Sequence, residues 1–102
     1  RRNYLTALVT LVKDQVEKYA TEQQILFSEF KELVRHPRVI GLVQKIIDDV
    51  NGQLASYETI KKFRILPQDF SVESGEMTAS LKLKRRVIHE RFRPELDSMY
   101  AQ

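Results

Sequence analysis

Residues 75–89, Gly75-Glu76-Met77-Thr78-Ala79-Ser80-Leu81-Lys82-Leu83-Lys84-Arg85-Arg86-Val87-Ile88-His89, set a turn, a Thr/Ser pair and a lysine directly ahead of a basic, helix-like run. A helix N-terminus leaves backbone N–H groups unpaired and carries partial positive charge. With Thr78 or Ser80 as the N-cap, a helix beginning near Ser80 puts Lys82 in its first turn. An ammonium there, beside free N–H groups, suits a phosphate or a carboxylate, and such surroundings also ease the loss of a proton. Lys84, Arg85, Arg86, Arg91 and Arg93 crowd the same segment. No stacking platform or recognition-helix motif accompanies them. A non-enzymatic basic module for nucleic acid or an anionic membrane surface is the alternative reading of this segment, and a purely structural domain is a third.

Other chemistries find no support in the residue pattern. His36 and His89 are the only histidines, and neither has a ligand-type partner at helical spacing, so no metal site is expected. His36 reads instead as a cap for carbonyls at a helix end. Asp48 and Asp49 are adjacent on a helix and splay apart by about 100°, which prevents them from sharing a proton. No G-x-S-x-G elbow, P-loop or G-x-G-x-x-G is present, and Gly41, Gly52 and Gly75 are the only glycines. The absence of cysteine excludes disulfides and thiolate chemistry and fits a reducing compartment. A net charge of +3 is a mild pull towards anionic partners. No apolar run approaches the length of a membrane span.

The elements that must position this segment follow from periodicity. Tyr4 to Val12 is apolar, β-branched and without helical period, which predicts a buried strand. Asp14 to Ala20 fits a short helix, and Ser28 is a suitable N-cap for a second over Glu29 to Arg35. His36-Pro37 closes it. Val39, Ile40, Leu42, Val43, Ile46, Ile47, Val50, Leu54 and Tyr57 extend a helical stripe from about Arg38 to Thr59, with Asn51-Gly52 as a weak spot rather than a turn. Lys61 to Leu66 alternates as a second strand ended by Pro67, and Gln68 to Glu76 is a loop. The final helix turns Leu81, Leu83, Val87, Ile88 and Phe92 inward, and Pro94 breaks or restarts it. At 102 residues, with 42% hydrophobic and 30% charged composition, the chain reads as one small mixed α/β (α+β) domain, a short sheet packed by helices. Two strands make a marginal sheet, so a further strand or partner domain is expected. The opening Arg1-Arg2 reads as part of a longer polypeptide.

Several stretches together resemble the long-chain fatty-acid–CoA ligases of the AMP-forming, adenylate-forming enzyme superfamily. They are Leu54 to Leu66, Phe70-Ser71, Gly75-Glu76-Met77-Thr78 and Leu81-Lys82-Leu83-Lys84-Arg85, with Tyr4 to Leu11, His36-Pro37 and Val50-Asn51 in support. Thr78-Ala79-Ser80-Leu81-Lys82 fills the Thr-x-Ser-x-Lys positions of the superfamily's last motif, Pro-Arg-Thr-x-Ser-Gly-Lys. Leu81 stands in place of its glycine, as is usual in the long-chain branch, and Ala79 where that branch often has proline. The resemblance implies that residues 1–102 are the mobile C-terminal domain of a larger acyl-CoA synthetase and that Lys82 is the adenylation catalyst, with Thr78 and Ser80 as its supporting loop. It implies ATP, Mg2+, coenzyme A and a fatty acid as reactants of the full-length enzyme. It also implies an N-terminal adenylation domain of the same polypeptide as partner, no nucleic acid, and a cytoplasmic setting that allows peripheral membrane association. By itself the chain is expected to bind none of these ligands and to be inactive.

Overall fold

The computed structural model describes residues 4–100. β1 (Leu5–Val9) and β2 (Ile60–Ile65) pair in parallel as a two-stranded sheet. Thr6 to Val9 lie opposite Lys62 to Ile65, while Leu5 lies opposite Ile60, so an irregularity passes over Lys61. A parallel pair needs a long crossover. Here it holds α1 (Lys13–Glu22), α2 (Phe30–Leu33) and α3 (Pro37–Asn51), followed by a 3-10 turn, Ser56–Glu58. α4 (Arg85–Arg91) and α5 (Arg93–Tyr100) complete the domain, the mixed α/β class expected. Among the described residues, no helix is long and apolar enough to cross a membrane.

The crossover carries the main core. Ala20, Ile25, Leu33 and Val39 are buried together, with Leu11, Val16, Tyr19, Phe27 and Phe30 packed against them. Burial of aliphatic side chains this size stabilises by roughly 1.5–3 kcal/mol each, enough to hold a four-residue helix such as α2 that could not persist alone. α2 is shorter than expected, and Ser28 does not cap it with its side chain. Glu29 occupies the N-cap, and the Ser28 N–H donates instead to Glu32 Oε1 at 3.1 Å. β1 is half-buried rather than buried, with Leu5 exposed, because the sheet has only two strands.

α3 begins as its sequence directs, with Pro37 in the first turn and Val39, Val43 and Ile47 buried at i, i+4 and i+8. His36 Nδ1 accepts from the Arg38 N–H at 3.1 Å, so this imidazole caps an N–H at a helix start, not carbonyls at a helix end. The expected continuation to Thr59 fails: α3 stops at Asn51. Asn51 Nδ2 donates to the Ile60 carbonyl and its Oδ1 accepts the Ile60 N–H, both at 2.9 Å. That amide pairs with the first residue of β2 as a neighbouring strand would. The chain must therefore turn back, and Leu54 and Tyr57 of the supposed stripe are exposed.

The end of the chain packs across the sheet. Tyr4 and Tyr100 stack with ring centroids 5.0 Å apart, and Tyr4 Oη donates to the Met99 carbonyl at 2.9 Å. The helix break expected at Pro94 falls at Phe92, and α5 takes the proline into its first turn.

Asn51→Ala removes both bonds to Ile60 and should destabilise the fold by about 1–3 kcal/mol. The exposed control Gln53→Ala should stay within about 0.5 kcal/mol, both read by urea unfolding.

Candidate functional site

Between β2 and α4 the chain is irregular, and several of its polar groups bond to one another. Phe70 leans on Phe92, just past α4, with centroids 5.9 Å apart. The Ser71 and Ser74 hydroxyls lie 2.5 Å from each other, and the Ser74 N–H donates to Ser71 Oγ at 3.1 Å. Gly75 follows at φ +95°, a conformation other residues rarely adopt. Next comes Glu76, 4% exposed and the buried charged side chain of the domain among the described residues.

Three groups meet the Glu76 carboxylate. Oε1 accepts from the Ser71 N–H at 3.1 Å and from Ser74 Oγ at 2.5 Å, and Oε2 accepts from Arg91 Nη1 of α4. The same Arg91 nitrogen also donates to the Ser74 carbonyl. The Ser74 hydroxyl does most to hold the Glu76 carboxyl below its ordinary value, the Ser71 N–H and Arg91 add to this, and burial opposes it. Glu76 is therefore charged at neutral pH, and it ties loop 71–76 to α4.

From Glu76 the chain enters a hairpin, not a helix. Met77 and Leu83 form an antiparallel bridge, and the Lys84 N–H closes the base on the Glu76 carbonyl at 2.7 Å. At the tip, the Thr78 N–H donates to the Lys82 carbonyl and the Leu81 N–H to the Thr78 carbonyl, both at 2.8 Å. Thr78 Oγ1 accepts the Lys82 N–H at 3.0 Å and lies 3.1 Å from Ser80 Oγ. Leu81 has φ +64°. Together these features make a three-residue hairpin loop over Ala79, Ser80 and Leu81, whose last position ordinarily takes glycine.

The expected helix start near Ser80 is thus corrected to Arg85, with Lys84 at the N-cap and no side-chain cap. Thr78 and Ser80 are not helix caps, because Thr78 spends its hydroxyl across the turn on Lys82. Lys82 does not sit in a first helical turn and takes nothing from a helix terminus. Leu81 and Leu83, expected inward, are 68% and 47% exposed, because the hairpin projects them beside Lys82. The structure does bring Thr78, Ser80 and Lys82 together. The Lys82 side chain is exposed and makes no hydrogen bond or ion pair among the described residues. Of its basic neighbours, Arg86 pairs with Glu90 at 3.5 Å, and Lys84 and Arg85 face solvent.

A cleft at the foot of the hairpin is lined by Thr6, Phe70, Leu83, Arg85 and Ile88, without Lys82, and two others lie farther off. One is lined by Leu11, Lys13, Phe30 and Pro67, another by Thr6, His89, Arg93 and Tyr100, and neither includes Lys82. Among the described residues no group of three or more His, Cys, Asp or Glu side chains could hold a metal. What this arrangement offers chemically is a bare ammonium on a short arm whose base is fastened down. Residue spacing missed the fastening itself. Arg91 reads as one more basic residue of the helix, and only the run Ser71-x-x-Ser74-Gly75-Glu76 hints that an acidic side chain is gathered in by its own loop.

Glu76→Gln should cost about 1–3 kcal/mol at neutral pH. Because the folded-state pKa of Glu76 lies below its ordinary 4.5, its contribution is present above that value and lost as pH falls through the lower, folded one. The gap between wild type and variant in denaturant unfolding should therefore close on acidification.

No family model matches the chain, and no solved structure does. Curated proteins do match over nearly its whole length. It is 34% identical over 101 residues, 97% of the chain, to long chain acyl-CoA synthetase 8 of Arabidopsis thaliana. It is 29% identical over 95% of its length to the long-chain-fatty-acid–CoA ligase FadD15 of Mycobacterium tuberculosis, and 34% identical over 98% to that organism's putative fatty-acid–CoA ligase fadD11. The chain spans 14%, 16% and 17% of the length of these three relatives, so it corresponds to a small part of each. The chain belongs to the long-chain acyl-CoA synthetase, or fatty-acid–CoA ligase, family.

Proposed function

We propose that this chain is the C-terminal, lysine-bearing domain of an ATP-dependent long-chain fatty-acid–CoA ligase and that Lys82 serves acyl-AMP formation. The observation that carries this reading is the unpaired Lys82 ammonium, exposed at the tip of a hairpin whose base is fixed. A lysine held for stability would be expected in an ion pair or laid along apolar surface.

In the first half-reaction a carboxylate oxygen of the fatty acid attacks the α-phosphorus of ATP. A P–O bond forms, the bond to the β-phosphate oxygen breaks, and pyrophosphate leaves with the electron pair. Charge shifts among the carboxylate and α-phosphate oxygens as this happens, and a compact cation placed beside them lowers the barrier. Lysine suits that task as a point charge on a flexible stem. In the second half-reaction the coenzyme A sulfur attacks the acyl carbon, AMP departs, and the thiol proton is released. The lysine has no part in that step, and a rigid-body rotation of the domain withdraws it.

Mg2+ would neutralise phosphate charge in the first step. ATP, its Mg2+, the fatty acid and coenzyme A belong in this reading to the whole ligase, and Lys82 is the one group assigned here. Thr78 supports it by holding the Lys82 backbone through both N–H and hydroxyl, and Ser80 supports Thr78. The N-terminal adenylation domain of the same polypeptide is the partner of the hairpin.

In the intact ligase, Lys82→Ala should lower acyl-AMP formation by about 100-fold or more, as for removal of a charge-stabilising group. Thioester formation from supplied acyl-AMP should stay within about twofold, because the lysine stabilises only the first transition state. Equal loss of both half-reactions would make Lys82 structural. The isolated chain should show no turnover.

A further inference from the structure

We infer that Glu76 and Arg91 are positioning residues that aim Lys82 for acyl-AMP formation, an inference resting on the reading of Lys82 given above. A hairpin with one bridge, Met77 to Leu83, has too few contacts to hold a direction of its own. Its direction is set where its two arms are anchored side by side, at Glu76 and at Lys84, the N-cap of α4. One arm continues from the Glu76 backbone, and the other returns through the Lys84 N–H to the Glu76 carbonyl at 2.7 Å. The Glu76 side chain turns the opposite way, to Ser71, Ser74 and Arg91. Arg91 stands on α4, which is packed on the rest of the domain through the buried Ile88. The first arm is therefore tied to α4 through Glu76 and Arg91, while the second arm enters α4 directly through Lys84.

The carboxylate is needed in its ionised form, since it accepts from three donors at once. Glutamine has nearly the same shape, but with its carbonyl kept on Ser71 and Ser74 it would turn an NH2 towards Arg91. Glu76→Gln therefore breaks the side-chain tie of Glu76 to α4 while leaving the loop's own bonds and the Arg91 bond to the Ser74 carbonyl in place. A lysine displaced by about 1 Å can lose on the order of 100-fold in rate.

The test is made on the intact ligase, with acyl-AMP formation measured by single turnover and thioester formation measured from supplied acyl-AMP. Glu76→Gln and Arg91→Met are expected to lower the rate of acyl-AMP formation by about 10- to 100-fold. The KM for ATP and the thioester step should change by no more than about twofold, and Arg91→Lys should recover part of the loss. In a Lys82→Ala background Glu76→Gln should slow the residual reaction no further, because a residue acting only through Lys82 has nothing left to aim. The inference is overturned if Glu76→Gln leaves acyl-AMP formation intact, if it slows both half-reactions alike, or if its effect persists without Lys82. In each of those cases the role of Lys82 still stands, provided Lys82→Ala alone abolishes acyl-AMP formation. Should Lys82→Ala leave that step untouched, the lysine reading fails first and this inference falls with it. If Glu76→Gln proves unfolded by circular dichroism, the Arg91→Met and Arg91→Lys pair decides the question on the same readouts.

Discussion

The buried Glu76 carboxylate is the constraint on which the hairpin end of this domain depends. A charged group removed from water must be met by donors, or it costs several kcal/mol. Meeting that demand dictates the path of the chain on both sides. The loop has to curl so that the Ser71 N–H and Ser74 hydroxyl face inward, Gly75 has to adopt a positive φ, and α4 has to present Arg91. Once these are in place, the backbone of Glu76 is immobilised and the hairpin arises from a fixed point. The two aromatic rings of Phe70 and Phe92 close the apolar side of the same junction.

This produces a domain with two mechanical characters. Its body is held by ordinary packing among α1, α2 and α3, whose apolar positions face one another across the crossover. Its tip has almost no packing: Ala79, Ser80, Leu81 and Lys82 are all exposed and are ordered by backbone bonds and one hydroxyl. The role proposed for Lys82 needs both characters. Its ammonium must stay unpaired until substrate arrives, yet its Cα must not wander.

Much of the body was legible because helical periodicity and burial agree there. Val39, Val43 and Ile47 announce α3 by spacing alone, and His36-Pro37 marks its start. The same logic overran the end of α3, since Val50, Leu54 and Tyr57 keep the period while Asn51 is captured by Ile60, nine residues further on. Local pattern has no access to that bond. At the tip the ambiguity is different in kind. A threonine or serine a few residues before a lysine serves equally as a helix cap or as the brace of a turn, and Leu81 hides the turn by occupying a position where glycine would have revealed it. Lys82 itself was singled out by resemblance to a family motif, which points to a residue but not to what holds it. Glu76 and Arg91, fifteen positions apart, belong to the part that only folding brings together.

Leu81 gives the tip a stored tension. A side chain bearing a Cβ sits in the left-handed region at a cost of about 1–2 kcal/mol, whereas glycine enters and leaves that region freely. The grip of Thr78 on Lys82, through one backbone bond and one hydroxyl bond, is what balances that cost. The hairpin therefore behaves less like a hinge with a broad range of angles than like a latch. It is stiff while the threonine bonds hold, and biased to spring away from its set shape when they are broken.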